Sequence, residues 1–509
     1  MPHPHTFFAF FLLCLPWLNP FAPGPSPAVA PWLFSMAVLA GVLLLFVFRG
    51  SVNAESPDTS RAELAKAFAC SLLVAGCISS VLALLQYFDL ETMLAPWVNP
   101  TAPGYAFANL RQRNQFASLT NLALAVLVVW AMRREADVSK TSVKVAVLTG
   151  AVLLAVGNAA SASRTGVVQI VLLCALFALW GGWRHRLVRL SLLAAVVAYA
   201  ITAVALPYAA GFDWSAHGLF ARLQAGDEPC ASRITLWSNV LHLIAQKPWL
   251  GWGWGELDYA HFITLYDGPR FCDILDNAHN LPLHLAVELG VPIAALVCGG
   301  FVWWVHRQKP WAERDASRQL AWAVMALILL HSMLEYPLWY GPFQIAFVWC
   351  VYALWPKDSA IAAFVSNSRF TQSIWAQAAT VSIALVLYAA WDYHRVSQIY
   401  LLPEQRSSAY QDDTVLKMRS SYLFADQVRF AELLLTPVTP ATAAWVFDAA
   451  ERTLHYSPEP RVAEKAIESA VMLGRDDAAL AFLAAYRAAF PAEHARWAKG
   501  NLKVNSQLN

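Results

Sequence analysis

The chain has 509 residues, of which 58% are hydrophobic and only 14% are charged. A soluble chain of this length would carry about 25% charged residues, so the composition excludes an ordinary soluble protein. The formal net charge of +2 is not concentrated in a basic patch, and nothing in the sequence predicts a nucleic acid as a partner.

Long apolar runs, such as residues 30–48 and 143–156, predict transmembrane helices, because about 20 apolar residues cross a bilayer. We predict an all-α polytopic membrane protein with about 11–12 transmembrane helices. In chain order, the predicted spans are residues 6–20, 29–48, 64–88, 114–132, 143–159, 165–182, 187–207, 281–305, 320–338, 341–356 and 372–391.

The charges of the short loops predict which side of the membrane each loop faces. With a cytoplasmic N-terminus, one set of loops holds most of the cations, as cytoplasmic loops do in membrane proteins. These cations are Arg49, Arg61, Lys66, Arg133, Arg134, Lys140, Lys144, Arg184, Arg186, Arg189, Arg307, Lys309, Arg314, Arg318, Lys357 and Arg369. The opposite short loops hold three arginines that the topology does not require: Arg111, Arg113 and Arg164.

This orientation predicts four regions. Residues 1–206 and 281–391 contain the N-terminal and the C-terminal transmembrane helices. Residues 207–280 form a large periplasmic loop. Residues 392–509 form a helical periplasmic tail, which is weakly similar to a tetratricopeptide array and which we expect to contact a partner or the long loop.

Two cysteines, Cys230 and Cys272, lie in the long loop, whereas the other six lie in predicted spans. Because the periplasm is oxidising, we predict a disulfide between these two cysteines. Two unpaired thiols also fit the sequence, since a single pair of cysteines does not establish a disulfide framework.

Four patches at the outward ends of the spans are more polar than the fold requires. The first is residues 109–115, whose side chains include Arg111, Gln112, Arg113, Asn114 and Gln115. Its arginines and amides could bind a diphosphate and a sugar, or they could cap a helix and reach lipid headgroups. The second is residues 161–165, where one arginine among small hydroxyl residues could meet an anion or a headgroup; this is Arg164.

The third patch is residues 232–237, followed by the segment 247–255, which is rich in tryptophan and glycine. Apolar residues at helical spacing in 234–244 predict a helix on the outer membrane surface, with Arg233 near its start. Anchoring in the headgroup zone explains the tryptophans, but it does not require Arg233.

The fourth patch is residues 276–284, at the start of the eighth predicted span. Proline is tolerated in a first helical turn, so Pro282 predicts a helix that begins near Asn280. His279 then lies just outside a helix N-terminus, where free N–H groups and the helix dipole favour an anion. An imidazole can take a proton from a hydroxyl, although a structural histidine would give the same pattern.

The sequence does not favour a metal site in this patch. Positions five and nine apart on a helix point in different directions, so His279, His284 and Glu288 do not converge, and the last two can simply pair with each other. The chain also lacks an Asp-x-Asp of the kind that holds Mg²⁺ on a nucleotide sugar. We therefore predict no metal and no cofactor, and we assign the neutralisation of a leaving diphosphate to the outward arginines, Arg111, Arg113, Arg164 and Arg233.

Taken in order, these patches resemble the O-antigen ligase superfamily, and more closely its PglL-type protein O-oligosaccharyltransferase branch. The resemblance covers roughly residues 100–400. Each motif is weak alone, but the ordered set is fairly specific. The motifs are residues 111–117, 161–165, 232–233 with Trp237, 279–290 and 331–340, with 391–398 after the final span.

This resemblance implies an undecaprenyl-diphosphate-linked glycan as donor and a periplasmic active site in the inner membrane of a Gram-negative bacterium. The loop 207–280 would then carry active-site residues. By resemblance, His279 assists the acceptor hydroxyl, while Arg164 and Arg233 bind the diphosphate. The implied substrate-binding residues are Arg111, Gln112, Arg113, Asn114, Gln115, Asn280, Glu335, Tyr336 and Tyr340. The family's glutamine could be Gln112 or Gln115, and its tyrosine Tyr336 or Tyr340.

We predict transfer of a preassembled oligosaccharide to Ser or Thr hydroxyls of a periplasmic or pilin-like protein, with inversion at the anomeric carbon. We also predict that the protein contacts membrane lipid. The nearest alternatives keep the reaction but change the acceptor, to lipid A core for a ligase or to another lipid-linked glycan for a polymerase. A transporter or flippase for lipid-linked sugars is an alternative of another class. It would need ionisable groups near the middle of the membrane, whereas here the polar residues gather on one side.

Overall fold

The computed structural model describes residues 4–52, 57–213, 215, 217–226, 229–355 and 369–508. Within these ranges the regular elements are helices, and no β-strand occurs, which confirms the predicted all-α class. The α-helices in chain order are α1 (Pro4–Leu18), α2 (Val29–Val52), α3 (Pro57–Tyr87), α4 (Arg113–Arg133), α5 (Thr141–Ala160), α6 (Arg164–Leu179), α7 (Arg186–Ala209), α8 (Gly218–Ala225), α9 (Arg233–Gln246), α10 (Leu257–Ile263), α11 (Leu281–Leu289), α12 (Val291–Gln308), α13 (Ala316–Ser332), α14 (Gly341–Leu354), α15 (Arg369–Ser397), α16 (Thr414–Met418), α17 (Ala425–Leu435), α18 (Ala443–Leu454), α19 (Pro460–Met472), α20 (Asp476–Ala489) and α21 (Pro491–Leu508).

Several of these helices are apolar enough to cross a membrane, and the protein is a multi-pass membrane protein. In the part of the chain that the structure describes, five helices have both the length and the composition of a span: Ala62–Tyr87, Arg113–Arg133, Thr141–Ala160, Arg186–Ala209 and Ser373–Tyr400. Four apolar helices are shorter: His5–Leu18, Val29–Leu45, Arg164–Leu179 and Gly341–Leu354. These nine helices correspond to nine of the predicted spans.

The two remaining predicted spans differ from the structure. The apolar stretch 281–305 is divided at Gly290 into α11 and α12, and the stretch 320–338 becomes α13, which ends at Ser332, and a short 3₁₀ helix at Pro337–Trp339. Hydropathy is continuous across the break at Gly290, so it could not reveal this break. The second break lies in a run that contains Glu335 and Pro337, and a helix commonly ends before a proline. The predicted cytoplasmic loop around Lys357 lies outside the described residues.

The chain divides into two compact units, which are described separately. Unit 1 is Met1–Gly226 with Val305–Tyr388, and unit 2 is Asp227–Trp304 with Ala389–Asn509.

In unit 1, helix α4 is the central element. It is buried along nearly its whole length and packs against α3, α5, α6, α7 and α13. Small residues allow this close packing: a Cβ on Gly76 would collide with Ala123 of α4, and a Cβ on Gly157 would collide with Ser80 of α3. Contacts between small residues are typical of helix pairs within membranes.

The two ends of unit 1 have different chemistry. At the end where α4 finishes and α7 begins, the Glu135 carboxylate accepts hydrogen bonds from the backbone N–H groups of Arg186 and Leu187, at 2.8 and 3.0 Å. Arg133 donates to Ser317 at the same end. The cations that we predict to be cytoplasmic at positions 133–144 and 184–189 are therefore grouped here. The other end contains the starts of α4 and α6.

Unit 2 contains a close crossing of two backbone segments that explains the tryptophan- and glycine-rich run. The N–H groups of Trp252 and Gly253 donate to the carbonyls of Val287 and Glu288, at 2.8 and 3.0 Å. A Cβ on Gly251 would overlap the Glu288 carbonyl, and a Cβ on Gly290 would overlap the Trp249 carbonyl. Both glycines also have a positive φ, of 69° and 88°. The break between α11 and α12 therefore belongs to this crossing.

The tail packs against part of the long loop within unit 2. Phe262 of α10 lies in one buried cluster with tail residues, which include Val446, Ala450, Ala463, Phe482 and Tyr486. In addition, the Glu256 carboxylate lies 2.6 Å from Nδ1 of His455, whose ring stacks on Tyr259. Consecutive tail helices pack on each other, α18 on α19 and α19 on α20, as in helical repeats. The expected contact between tail and loop is present.

The run 391–398, one of the motifs that carry the resemblance, anchors the start of this tail. The buried Asp392 carboxylate accepts a hydrogen bond from the Ser421 hydroxyl at 2.8 Å and pairs with Arg395 at 3.1 Å. Gln398 accepts a hydrogen bond from the Ser407 N–H at 2.8 Å. The polar residues of this run are thus occupied by structural contacts.

The crossing in unit 2 gives a test of stability. We expect Gly251→Ala to lower the free energy of unfolding by at least about 1–3 kcal/mol, because alanine is strained at this φ and its Cβ meets a carbonyl. Gly268→Ala is the matched control, since nothing lies within 4 Å of its added Cβ. Thermal unfolding of both purified variants would measure the difference, and equal midpoints would contradict this account of the crossing.

Candidate active site

Each of the four predicted polar patches forms the capped N-terminus of a helix. In unit 1, the Gln112 side chain accepts from the Gln115 N–H at the start of α4, and Ser163 accepts from the Gly166 N–H at the start of α6, both at 3.0 Å. In unit 2, Ser232 caps α9 and Asn280 caps α11, through the N–H groups of residues 235 and 283 at 3.2 and 3.1 Å. The predicted helix start near Asn280 is confirmed.

A cation stands at the first position of three of these helices: Arg113 in α4, Arg164 in α6 and Arg233 in α9. The positive end of the helix dipole disfavours a cation there, by roughly 0.3–1 kcal/mol at an exposed end. A bound anion would offset this unfavourable interaction, because it would be attracted both to the guanidinium and to the positive end of the helix dipole. Each patch is therefore suited to an anionic group.

Three patches share a backbone feature that the sequence did not reveal. The residue before the cap has a positive φ, which is 59° at Arg111, 50° at Ala162 and 49° at His279. Residues other than glycine rarely adopt this conformation, and it costs of order 1–3 kcal/mol. Strained residues of this kind are concentrated at functional sites. No glycine marks these turns, so composition could not predict them.

Direct hydrogen bonds bring three of the predicted segments of unit 1 together. The Asn114 amide donates to Glu335 Oε1 at 3.1 Å, and its carbonyl oxygen accepts from the Ser163 hydroxyl at 2.6 Å. All three residues are buried. The start of α4, the start of α6 and the segment after α13 therefore meet at one place.

A buried polar cluster continues inward from this place. Ser118 Oγ lies 2.9 Å from Nδ1 of His331, and the Gln169 amide donates to Ser118 at 2.9 Å and to the Leu327 carbonyl at 3.0 Å. Asn121 donates to Gln169 at 3.1 Å. Polar residues inside a membrane bundle are costly and commonly functional. His331 was part of a recognised motif, but Ser118 and Gln169 were missed because they lie in apolar helical sequence.

The remaining predicted residues of unit 1 have distinct environments. The Arg111 guanidinium donates to the Pro20 carbonyl, and burial lowers its pKa. Arg113 lies over the Tyr105 ring, 5.1 Å from its centroid. Gln115 is buried, whereas its neighbour Gln112 is the helix cap. Both arginines are partly exposed, and each has a partner within the fold, a backbone carbonyl for Arg111 and an aromatic ring for Arg113.

Tyr336 and Tyr340, which could each match the family's tyrosine, stack on one another. Their ring centroids are 5.8 Å apart, with an angle of 21° between the planes. Both are partly exposed and flank the 3₁₀ helix Pro337–Trp339. The pair presents an aromatic surface next to the buried Glu335.

In unit 2, the segment before His279 is fixed to helix α9. Cys230 and Cys272 form a disulfide, with Cα atoms 5.2 Å apart. Asn239 accepts from the Phe271 N–H at 2.8 Å, and the Trp237 indole donates to the Ala278 carbonyl at 3.1 Å. The helix that begins with Arg233 and the turn that presents His279 therefore belong to one framework.

Three other ionisable groups of unit 2, those of His261, His284 and Glu288, have partners within the fold. His261 is buried between Tyr266 and the Phe271 carbonyl, and burial, together with the nearby Arg270, lowers its pKa to about 3. It is therefore neutral and enclosed, whereas His279 is partly exposed. His284 and Glu288 pair with each other at 3.5 Å, as their spacing predicts. Among the residues described, no three His, Cys, Asp or Glu side chains are grouped as metal ligands would be.

Three protein families match segments of the chain. They are "Protein glycosylation ligase" over residues 106–131, "O-Antigen ligase" over residues 149–298, and "Virulence factor membrane-bound polymerase, C-terminal" over residues 319–504. The matched segments contain all the predicted site residues. The resemblance to O-antigen ligases is confirmed.

Two relatives from Acinetobacter baylyi extend this result. A general O-oligosaccharyltransferase is 23% identical over 426 residues, which are 81% of this chain and 70% of that protein. A ComP-specific O-oligosaccharyltransferase is 24% identical over 315 residues, which are 62% of this chain and 55% of that protein. No solved structure matches the chain significantly. These similarities support a glycosyltransferase and the protein-glycosylating branch that the motifs predicted.

The contacts of Asn114 can be tested by exchanging charge. We expect Asn114→Asp to lower the free energy of unfolding by about 1–3 kcal/mol, because a second carboxylate would face Glu335 in a buried place. In the double variant Asn114→Asp/Glu335→Gln, the new glutamine amide can donate to the new aspartate, and stability should return. Thermal unfolding of the single and double variants would measure this, and a double variant no more stable than the single one would contradict it.

Proposed function

We propose that this protein transfers a preassembled oligosaccharide en bloc from undecaprenyl diphosphate to Ser or Thr hydroxyls of periplasmic or pilin-like proteins. The observation that carries the proposal is the set of cations at capped helix N-termini, within segments similar to O-antigen and protein glycosylation ligases. Such termini suit a diphosphate.

The leaving diphosphate is assigned to Arg164 and Arg233. Expelling a diphosphate requires neutralisation of negative charge as the glycosidic bond breaks. Each of these guanidinium groups stands at the first position of a capped helix, and both are partly exposed. Arg113 has the same position in α4 and is the third candidate for this role.

His279 is assigned to the acceptor hydroxyl. The hydroxyl oxygen forms a bond to the anomeric carbon of the reducing-end sugar, and its proton passes to the imidazole of His279. The bond between that carbon and the diphosphate oxygen breaks, and undecaprenyl diphosphate leaves with the electron pair. A single displacement of this kind inverts the anomeric configuration. Asn114, Gln115, Asn280, Glu335 and the tyrosine pair would contact the glycan or the acceptor.

The proposed location is the inner membrane of a Gram-negative bacterium, with the site facing the periplasm. Support comes from unit 1, where the basic residues 133–144 and 184–189 lie at the end opposite the starts of α4 and α6. An excess of cations is typical of the cytoplasmic side. The disulfide of unit 2 is consistent with an oxidising compartment.

A protein acceptor is favoured over lipid A core, because the two relatives named above are O-oligosaccharyltransferases and one is specific for ComP. The discriminating experiment mixes the purified protein with lipid-linked oligosaccharide and, in parallel, with pilin-like protein or lipid A core, without nucleotide. Mass spectrometry of both acceptors then decides. Glycan found only on lipid A core would contradict the proposal and support the ligase alternative.

His279→Ala should abolish transfer, with activity reduced by at least about 100-fold, as for loss of a general base. His242→Ala is the matched control, because His242 is an exposed imidazole of the same unit. Glycosylated acceptor would be quantified by mass spectrometry at equal amounts of inserted protein. Retained transfer in His279→Ala would remove this residue from the reaction.

Arg164→Ala and Arg233→Ala should raise the KM for the lipid-linked donor and lower kcat, while the KM for the acceptor changes little. The physical reason is the loss of a charge that binds the diphosphate and stabilises its departure. Arg186→Ala is the control, since Arg186 also begins a helix but lies at the opposite, basic end of unit 1. Equal effects of all three substitutions would argue against a role of Arg164 and of Arg233 in binding the diphosphate.

A further inference from the structure

The peptide group between Ala278 and His279 is held at both of its polar atoms. The Trp237 indole N–H donates to the Ala278 carbonyl oxygen at 3.1 Å, and the His279 backbone N–H donates to Asn277 Oδ1 at 3.0 Å. Ala278 and Asn277 are both buried. This peptide group cannot rotate without losing at least one of these hydrogen bonds, so two side chains set the backbone direction at His279.

The backbone at His279 needs this restraint. Its φ of 49° lies in the left-handed region, which residues other than glycine rarely adopt. A strained conformation persists only where surrounding contacts impose it. If the peptide group rotated and φ became negative, the imidazole would leave its place before the first turn of α11.

Trp237 links this restraint to the helix that begins with Arg233. The two residues are four positions apart in α9, so they lie on the same face of the helix, one turn from each other. The Trp237 ring packs on the buried core that contains Leu236, Val240 and Leu243. The indole therefore transmits the position of α9 to the peptide group next to His279.

We propose that Trp237 is a positioning residue for glycan transfer, which holds the His279 imidazole in the orientation that receives the proton of the acceptor hydroxyl. The inference rests on the proposed function. In this role Trp237 touches neither the substrate nor the reacting atoms. Its loss therefore lowers kcat and leaves the KM for the lipid-linked donor unchanged.

The experiment compares two tryptophans that make the same kind of contact. Trp237→Phe keeps an aromatic ring and removes only the N–H donor, and it should lower kcat by about tenfold, the effect of one lost hydrogen bond. Trp252→Phe is the matched control, because the Trp252 indole also donates to a backbone carbonyl at 3.1 Å, that of Leu243, and packs on the same core. It should keep kcat within about twofold of the wild-type value.

Hydrogen–deuterium exchange of the full-length protein gives a second measurement that needs no activity. Exchange at the backbone amides of residues 278–280 should be faster in Trp237→Phe than in the wild type. Trp252→Phe should leave exchange in this segment unchanged. A merely general loss of stability would instead raise exchange across the whole of unit 2.

The outcomes separate this inference from the proposed function. A wild-type protein that transfers no glycan contradicts the proposed function, while exchange at residues 278–280 still decides whether Trp237 restrains the turn. If the wild type is active, the positioning role is overturned when Trp237→Phe retains full kcat. It is also overturned when the two tryptophan variants lose kcat equally, or when exchange at residues 278–280 is unchanged in Trp237→Phe.

Discussion

The two hydrogen bonds of the Asn114 side chain are the contact on which the polar end of unit 1 depends. One amide donates to Glu335 and accepts from Ser163, so it connects the starts of two helices with a segment far along the chain. Because these groups are buried, each would cost free energy if it lost its partner. The places of Arg113 and Arg164 follow from this junction, since each stands one residue away from a member of it. The polar residues of this end thus hold the helix ends together, and a surface for a ligand would depend on that arrangement.

In unit 2, a disulfide and several hydrogen bonds hold the segment that leads to His279. The disulfide and the hydrogen bonds of Asn239 and Trp237 hold the stretch between α10 and α11. The glycine crossing at Gly251 and Gly290 holds the segment before α10 against the end of α11. The proposed role of His279 requires that the orientation of its imidazole is maintained, and these contacts restrain the backbone that carries it. The tail contributes through α10, which it covers. The C-terminal tail therefore packs against the long loop within unit 2.

Much of this arrangement could be predicted from the sequence, and what could not be predicted is non-local. Pro282 predicted the helix start near Asn280, and apolar spacing predicted the helix that begins near Arg233. The division of the stretch 281–305 could not be predicted. A glycine is required at position 290 because the backbone of Trp249 lies against it, and this contact exists only in the folded chain. The bond between Asn114 and Glu335, 221 residues apart, and the use of Arg111 on the Pro20 carbonyl are hidden for the same reason.

The contact between α10 and the tail has a consequence for biogenesis. The residues that cover Phe262, from Val446 to Tyr486, leave the ribosome after all of the apolar spans. Until these tail residues have been synthesised, Phe262 has no apolar partner from the tail, and α10, which precedes the stretch that leads to His279, lacks this packing. The contact between α10 and the tail therefore forms only after the apolar spans have been synthesised.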